Sequence, residues 1–341
     1  MDRFIEVDKR NIKELIKTNK ILVCKLRNSR IKAKQIGIME MLMLNYDLNV
    51  LFIKNGPLGD VKGIVSFLVS NKLFDLVLDR LKYVGYFNVF YILNFDNKQK
   101  NNTNIKTINP LNFKGLSYSL KTILIQDEKL YEKDSSHNRS FKIISFDKEK
   151  EVIGYRGTGK DLGRRALPVS DARCMVNLSI PFIRENVVDP FAGAGGIVYM
   201  LKKIKPSINI TSIDIDKTLE PGLVYYGAKH ITSDASEVTL EEKFDAIITE
   251  VPFNKSSTNK ILNSFKNIYK YLNEKGIIVL MCGIDQFDEI GALFNRDLNI
   301  NLLFFKKLNR KGTNVVIGIW TKDINLKKEL NYAIEIINKV H

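Results

Sequence analysis

Residues 187–196, VVDPFAGAGG, constrain this chain more than any other segment: a short apolar run ends on an acid and turns through three glycines into the apolar stretch IVYML. That order reads as a strand, a glycine-rich loop and a helix start. Glycine accepts positive φ and lets a ligand lie against bare backbone, while the helix N-terminus that follows offers unpaired N–H groups. Gly193, Gly195 and Gly196 are expected to floor a cofactor pocket. Asp189 would stand at the carboxyl end of the strand, where open α/β sheets bind ligands.

A glycine-rich turn specifies little by itself, so the segments after it decide. Residues 208–214 (INITSID) read as a second strand ending on Asp214, at the interval where an acid commonly holds a ribose diol. Residues 230–234 (HITSD) form a short third strand ending on Asp234, and 244–250 (FDAIITE) a fourth ending on Glu250. Residues 276–282 (GIIVLMC) make a fifth, nearly all apolar, as suits a strand buried on both faces. Helix-length segments at 196–204, 217–228, 258–273 and 285–295 separate them, which predicts a mostly parallel sheet covered on both sides. Residues 301–307 and 313–320 flank the turn LNRKG and read as an antiparallel hairpin at the sheet edge.

Together, DPFAGAGG, SIDID, SDASE, ITEVPF and the terminal hairpin resemble a class I S-adenosylmethionine-dependent methyltransferase over residues 165–322. The resemblance implies a Rossmann-like, seven-stranded α/β domain. It also implies S-adenosylmethionine as cofactor, held by Asp189, Phe191, Gly193 and Gly195 near the methionine part, Asp214 at the ribose and Asp234 at the adenine amine. Asp216 competes for the ribose, and an Asx turn competes for Asp234.

Upstream, GRRALPVSDARCMVNLSIPF (163–182) resembles the segment before the cofactor loop in RNA methylases that make N2-methylguanosine in tRNA, a group often carrying an N-terminal THUMP domain. The spacing from Asp171 to Ile180 predicts a helix with Ala172, Met175, Val176 and Ser179 on one face and Arg173 outside it. Arg156, Lys160, Arg164, Arg165 and Arg173 are expected to form a basic approach to the pocket, suited to phosphates; a solvated linker is the alternative.

The chain departs from this family at the catalytic loop. Amine-methylating members end the fourth strand with Asp or Asn, two prolines and an aromatic; here stand Glu250, Val251, Pro252 and Phe253. An exocyclic amine is a poor nucleophile. Oxygen acceptors must hold its hydrogens and aim its lone pair at the methyl group, while an aromatic stacks on the base. Three readings follow: an amine methyltransferase with a shifted loop, a methyltransferase with another target atom, or a cofactor-binding protein without turnover. The loop also resembles that of tRNA guanosine-N1 methyltransferases, in which Glu250 would take the ring proton as a base.

Charge agrees with a polyanionic partner. The net charge is +15, and residues 1–150 carry 27 Lys and Arg against 16 Asp and Glu, whereas residues 151–341 carry 26 against 22. A basic α+β domain over 1–150, THUMP-like or ferredoxin-like and RNA-binding, is therefore expected ahead of a methyltransferase domain over 151–341. In the first domain, 11–16, 36–44 and 61–81 read as helices and 21–26, 50–53 and 87–93 as strands; 95–106 and 127–140 read as surface loops, and 142–146 as a further strand.

Cys24, Cys174 and Cys282 are too far apart for a disulfide framework or zinc site, and no metal is expected. Without a signal peptide or membrane span in its pattern, the chain reads as cytoplasmic, with tRNA or another RNA as partner. The sequence leaves open the nucleotide position, RNA against DNA, the oligomeric state and any partner subunit.

Overall fold

The computed structural model describes residues 4–6, 12–54, 62–95, 118–125, 141–145, 148–152, 160–161, 164–165, 167–310 and 312–340. The chain forms two units, Met1–Asp127 with Asn331–His341, and Glu128–Leu330. The final residues thus group with the first unit rather than with the region expected over 151–341. Their ties are visible: Tyr332 meets Phe4 edge-on at 5.0 Å, and Gln35 donates to the Val340 carbonyl at 2.8 Å.

The first unit is built on a six-stranded mixed sheet. Its elements are β1 (Phe4–Glu6), α1 (Ile12–Thr18), β2 (Asn19–Leu26), α2 (Lys34–Leu44), β3 (Leu51–Lys54), β4 (Ile64–Ser70), α3 (Phe74–Leu81), β5 (Phe87–Phe95) and β6 (Tyr118–Ile125), with strand order β1-β3-β4-β2-β5-β6. One core joins Ile12, Ile21, Val23, Ile53, Ile64, Leu68, Tyr91 and Leu93. The helix expected over 61–81 is a strand followed by a helix. IVSFLVS is rich in β-branched residues and pairs antiparallel with β2, so only 71–81 remains helical, a 3-10 turn leading into α3. Of the loop expected at 95–106, Phe95 instead ends β5 and the rest lies outside the described residues, as do 127–140 and the end of 142–146; β7 (Phe141–Ser145) covers the rest of that strand and pairs with β8 (Lys148–Val152).

Next come two short paired strands, β9 (Lys160–Asp161) and β10 (Arg164–Arg165), and then α4 (Val169–Ser179). The second unit's sheet holds β11 (Asn186–Asp189), β12 (Asn209–Asp214), β13 (Lys229–Thr232), β14 (Phe244–Glu250), β15 (Leu272–Gly283), β16 (Asn301–Arg310) and β17 (Thr313–Thr321). Their order is β13-β12-β11-β14-β15-β17-β16; the first five are parallel, and β17 runs antiparallel to both its neighbours. Reversal of strand order on either side of β11 opens a crevice at the carboxyl ends of β11 and β14. The helices α5 (Gly196–Ile204), α6 (Glu220–Tyr225), α7 (Thr258–Ile268) and α8 (Ile284–Ala292) connect the strands, and α9 (Ile324–Asn338) ends the chain.

Helix α4 corrects an expectation. Every residue from Asp171 to Ser179 is buried, because α4 packs on α5, β14 and β15 rather than presenting one face. Arg173 is only 1% exposed, so its guanidinium does not join a basic surface at the pocket mouth. No helix among the described residues is long and apolar enough to cross a membrane.

Candidate active site

A cavity of about 630 Å³ opens at the carboxyl ends of the parallel strands, within the size range of small-molecule sites. The structure brings Asp189, Phe191, Gly193, Asp214, Asp234, Glu250, Pro252 and Phe253 to its wall. Gly195 is not at the wall but shapes the loop behind it. Its φ is +86°, and a Cβ there would lie 2.9 Å from Leu223 Cδ2. Gly193 (φ +50°) differs: a Cβ would meet nothing within 4 Å, so this stretch of backbone faces open space that a ligand could fill.

Four acids build one half of the wall. Asp214 accepts from the Gly193 N–H at 2.8 Å and the Asp216 N–H at 2.9 Å, tying the glycine loop to the end of β12. Next to it, the Ala192 N–H donates to the Ile213 carbonyl at 3.0 Å. Asp189, 1% exposed, accepts from Thr249 Oγ1 at 2.7 Å and the Phe191 N–H at 3.3 Å. Burial pushes its carboxyl up to about 7, outweighing the lowering effect of those hydrogen bonds. Asp234 accepts from the Ser236 N–H at 2.9 Å and Oγ at 2.7 Å, which holds its carboxyl below the usual range; it forms the Asx turn and lines the cavity at once. Asp216, the competitor for the ribose, accepts from the Thr218 N–H at 3.0 Å and Oγ1 at 2.6 Å.

The opposite half is the loop after β14. The Val251 N–H donates to the Met281 carbonyl at 3.0 Å, carrying the β14–β15 ladder one residue past Glu250. A proline there has no hydrogen to give, which explains why a valine fits this position. The Gln286 side chain, fully buried on α8, donates to the carbonyls of Pro252 at 2.8 Å and Asn254 at 3.0 Å, and accepts from the Gly283 N–H at 2.9 Å. Asn254 in turn accepts from the Ser257 N–H at 2.8 Å and caps the turn into α7.

Glu250 is paired with Arg310, from the end of β16. The guanidinium of Arg310 also lies 3.9 Å from Asp171 and 5.7 Å from the Phe253 ring centroid, and both Arg310 and Glu250 line the cavity. Sequence reasoning missed Arg310 and Gln286. The first lay in a stretch read as a turn, the second in a helix read as covering the sheet, and no motif marks either. Of the basic strip, Arg156 lies outside the described residues, while Lys160 pairs in register with Arg165, and Arg164 with Asp161. Lys260 lines the cavity instead, close enough to Asp234 to favour its ionised form.

A sheet of this order, with a glycine loop and strand-end acids around one crevice, is the class I S-adenosylmethionine-dependent methyltransferase fold. The chain is similar in sequence to a tRNA methyltransferase. It is 29% identical over 159 residues to a tRNA (guanine(10)-N2)-dimethyltransferase of Methanothermobacter thermautotrophicus. That match covers 42% of this chain and 46% of the relative, so it spans under half the relative's length. No family model matches the chain. Solved structures similar to it include TrmN from Thermus thermophilus, at 11% identity and TM-score 0.49 over 89% of this chain and 100% of that one. SMU.1697c from Streptococcus mutans, solved in complex with SAH, is similar at 15% identity and TM-score 0.34, over 43% and 97%.

Proposed function

We propose that this chain is an S-adenosylmethionine-dependent tRNA methyltransferase whose target is the exocyclic N2 of a guanine. The observation that carries the reading is that Glu250 and Phe253 share one cavity with the glycine loop and Asp214. A base held on Phe253 then meets a cofactor held on the loop. Asp214 would take the ribose hydroxyls and Asp234 the adenine amine, with Ile215, 71% exposed at the cavity wall, covering the adenine ring. When bound, the cofactor supplies an electrophilic methyl group on a sulfonium.

What these residues contribute is position. Phe253 offers a stacking face, and Glu250 an oxygen that accepts one amine hydrogen, so the nitrogen lone pair points at the methyl carbon. The basic excess of the first 150 residues suits the tRNA backbone, and its affinity would then fall steeply with salt.

A second reading, methylation at ring N1 with Glu250 as base, calls for a carboxylate free to take a proton. One oxygen of Glu250 is held by Arg310, which favours the amine. The deciding experiment is labelled-methyl transfer to unmodified tRNA, followed by nucleoside digestion and mass spectrometry. N2-methylguanosine is the expected product. N1-methylguanosine would replace the amine reading, and transfer to neither, with the cofactor bound, would overturn the enzyme reading.

A further inference from the structure

We propose that Arg310 is a positioning residue of the transfer step: it binds one oxygen of Glu250 so that the other remains a fixed acceptor for the target amine. This rests on the amine-methyltransferase reading above.

Three elements distant in sequence meet at Arg310. Helix α4 supplies Asp171 (1% exposed), the hairpin supplies Arg310 (10%), and the end of β14 supplies Glu250 (18%). The guanidinium lies against two carboxylates, Glu250 and, at 3.9 Å, Asp171, and it also lies 3.8 Å from Met281 Sδ. An arginine held on several sides is a rigid anchor, since its planar fork has little freedom left.

Glu250 pairs with Arg310 through Oε1; among the described residues no hydrogen bond is made to Oε2. Glu250 reaches one methylene further than an aspartate or asparagine at this position would, and a longer side chain samples more rotamers. Tethering Oε1 removes that freedom. The carboxylate is thereby divided into an anchored oxygen and an accepting oxygen, and Phe253 beneath the guanidinium sets the plane in which a base would stack.

During transfer the amine nitrogen uses its lone pair to form the N–C bond while the S–C electron pair stays with sulfur. The positive charge passes to nitrogen, which then loses a proton to water. Glu250 on this account never has to take that proton; its task is to hold one N–H and to lie near the developing charge.

The test is a double-substitution cycle on the full chain with tRNA. Arg310→Gln should lower kcat on the order of 100-fold, the size of effect that a misplaced reacting group produces. Glu250→Gln should lower it at least as much, because the amide must give its only oxygen to Arg310 and turn its NH2 toward the substrate. In the double variant the amide introduced at position 250 is free to turn round, donating to the amide introduced at position 310 and offering its oxygen to the amine. Activity should then rise about tenfold above Glu250→Gln alone, a partial recovery consistent with one restored acceptor.

Calorimetric affinity for S-adenosylmethionine should stay within about twofold in all three variants, and thermal unfolding reports whether each is folded. A structural role for Arg310 predicts the reverse order, with the double variant the worst and the least stable. A base role for Glu250 predicts no recovery in any background. Either result overturns the proposal. Absence of transfer by the unsubstituted chain would instead remove the function on which it rests.

Discussion

The two halves of the cavity are held in different ways. On the wall proposed to face the cofactor, Asp214, Asp234 and Asp216 accept from backbone N–H groups at most 21 residues away, and Asp189 reaches further, to Thr249, 60 residues on. On the wall proposed to face the base, Glu250 is held by Arg310, 60 residues away, and the loop after it by Gln286, 34 residues from Pro252. The first arrangement makes its shape from local backbone geometry. The second depends on the completed sheet, since neither clamp exists until β15 and the hairpin are in place.

That difference can be broken from either side, and the largest effect is expected at Asp214. Asp214→Ala removes two charge-assisted hydrogen bonds that shape the glycine loop, each worth about 1.5–3 kcal/mol, together with the proposed ribose contact. The dissociation constant for S-adenosylmethionine, read by calorimetry, should rise at least about 100-fold while tRNA affinity changes little. If tRNA affinity falls in parallel, the halves are not independent.

Gln286→Met probes the other side. It keeps the volume but leaves two carbonyls and one N–H without this partner, a loss of about 2–4 kcal/mol. Chemical denaturation should show that loss. Turnover should fall while S-adenosylmethionine affinity holds; an equal loss of cofactor affinity would merge the two halves.

Val251→Pro is the third probe and asks why this loop has one proline where amine methyltransferases have two. The substitution removes the hydrogen bond to Met281 at a site only 1% exposed, so unfolding should become easier by about 1–3 kcal/mol. Unchanged stability would show that the ladder does not need this bond, and the valine would lose its explanation.

The same contrast accounts for what the sequence disclosed. Strands ending on Asp189, Asp214 and Glu250 were legible because each is a short apolar run that stops on an acid, and β14 matches its expected bounds from Phe244 to Glu250. The Asx turn at Asp234 was legible, since such a turn is a local event. Arg310 was not, because its meaning comes from register: it pairs with Thr313 at the turn end of the hairpin, which lies at the cavity. Gln286 lies in a segment read only as helix-length, where nothing marks it, and is fully buried. Residues 61–81 misled for a related reason. IVSFLVS is apolar at nearly every position, so periodicity could not separate a strand buried on both faces from a helix, and only pairing with β2 decides it.

The smallest expected effect concerns Asp189, which sits where the two halves join through Thr249 on β14. Its carboxyl is raised by burial from its ordinary value to about 7 in the folded chain. The sign follows from proton uptake: the folded state binds the proton more tightly than the unfolded one, so this group's contribution to stability is greatest below about pH 4 and is lost as pH rises toward 7. A cationic ligand in the cavity favours the ionised carboxylate and pulls the other way. Between pH 6 and pH 8 the affinity for S-adenosylmethionine should therefore rise by about tenfold, at most the factor that one titrating group allows per pH unit. Asp189→Asn, which has no charge to gain, should lack this part of the pH dependence. Any titration of the ligand itself cancels when the two proteins are compared. Parallel curves for the two proteins would mean that Asp189 serves the Thr249 contact and the turn at Phe191 but does not sense the cofactor's charge.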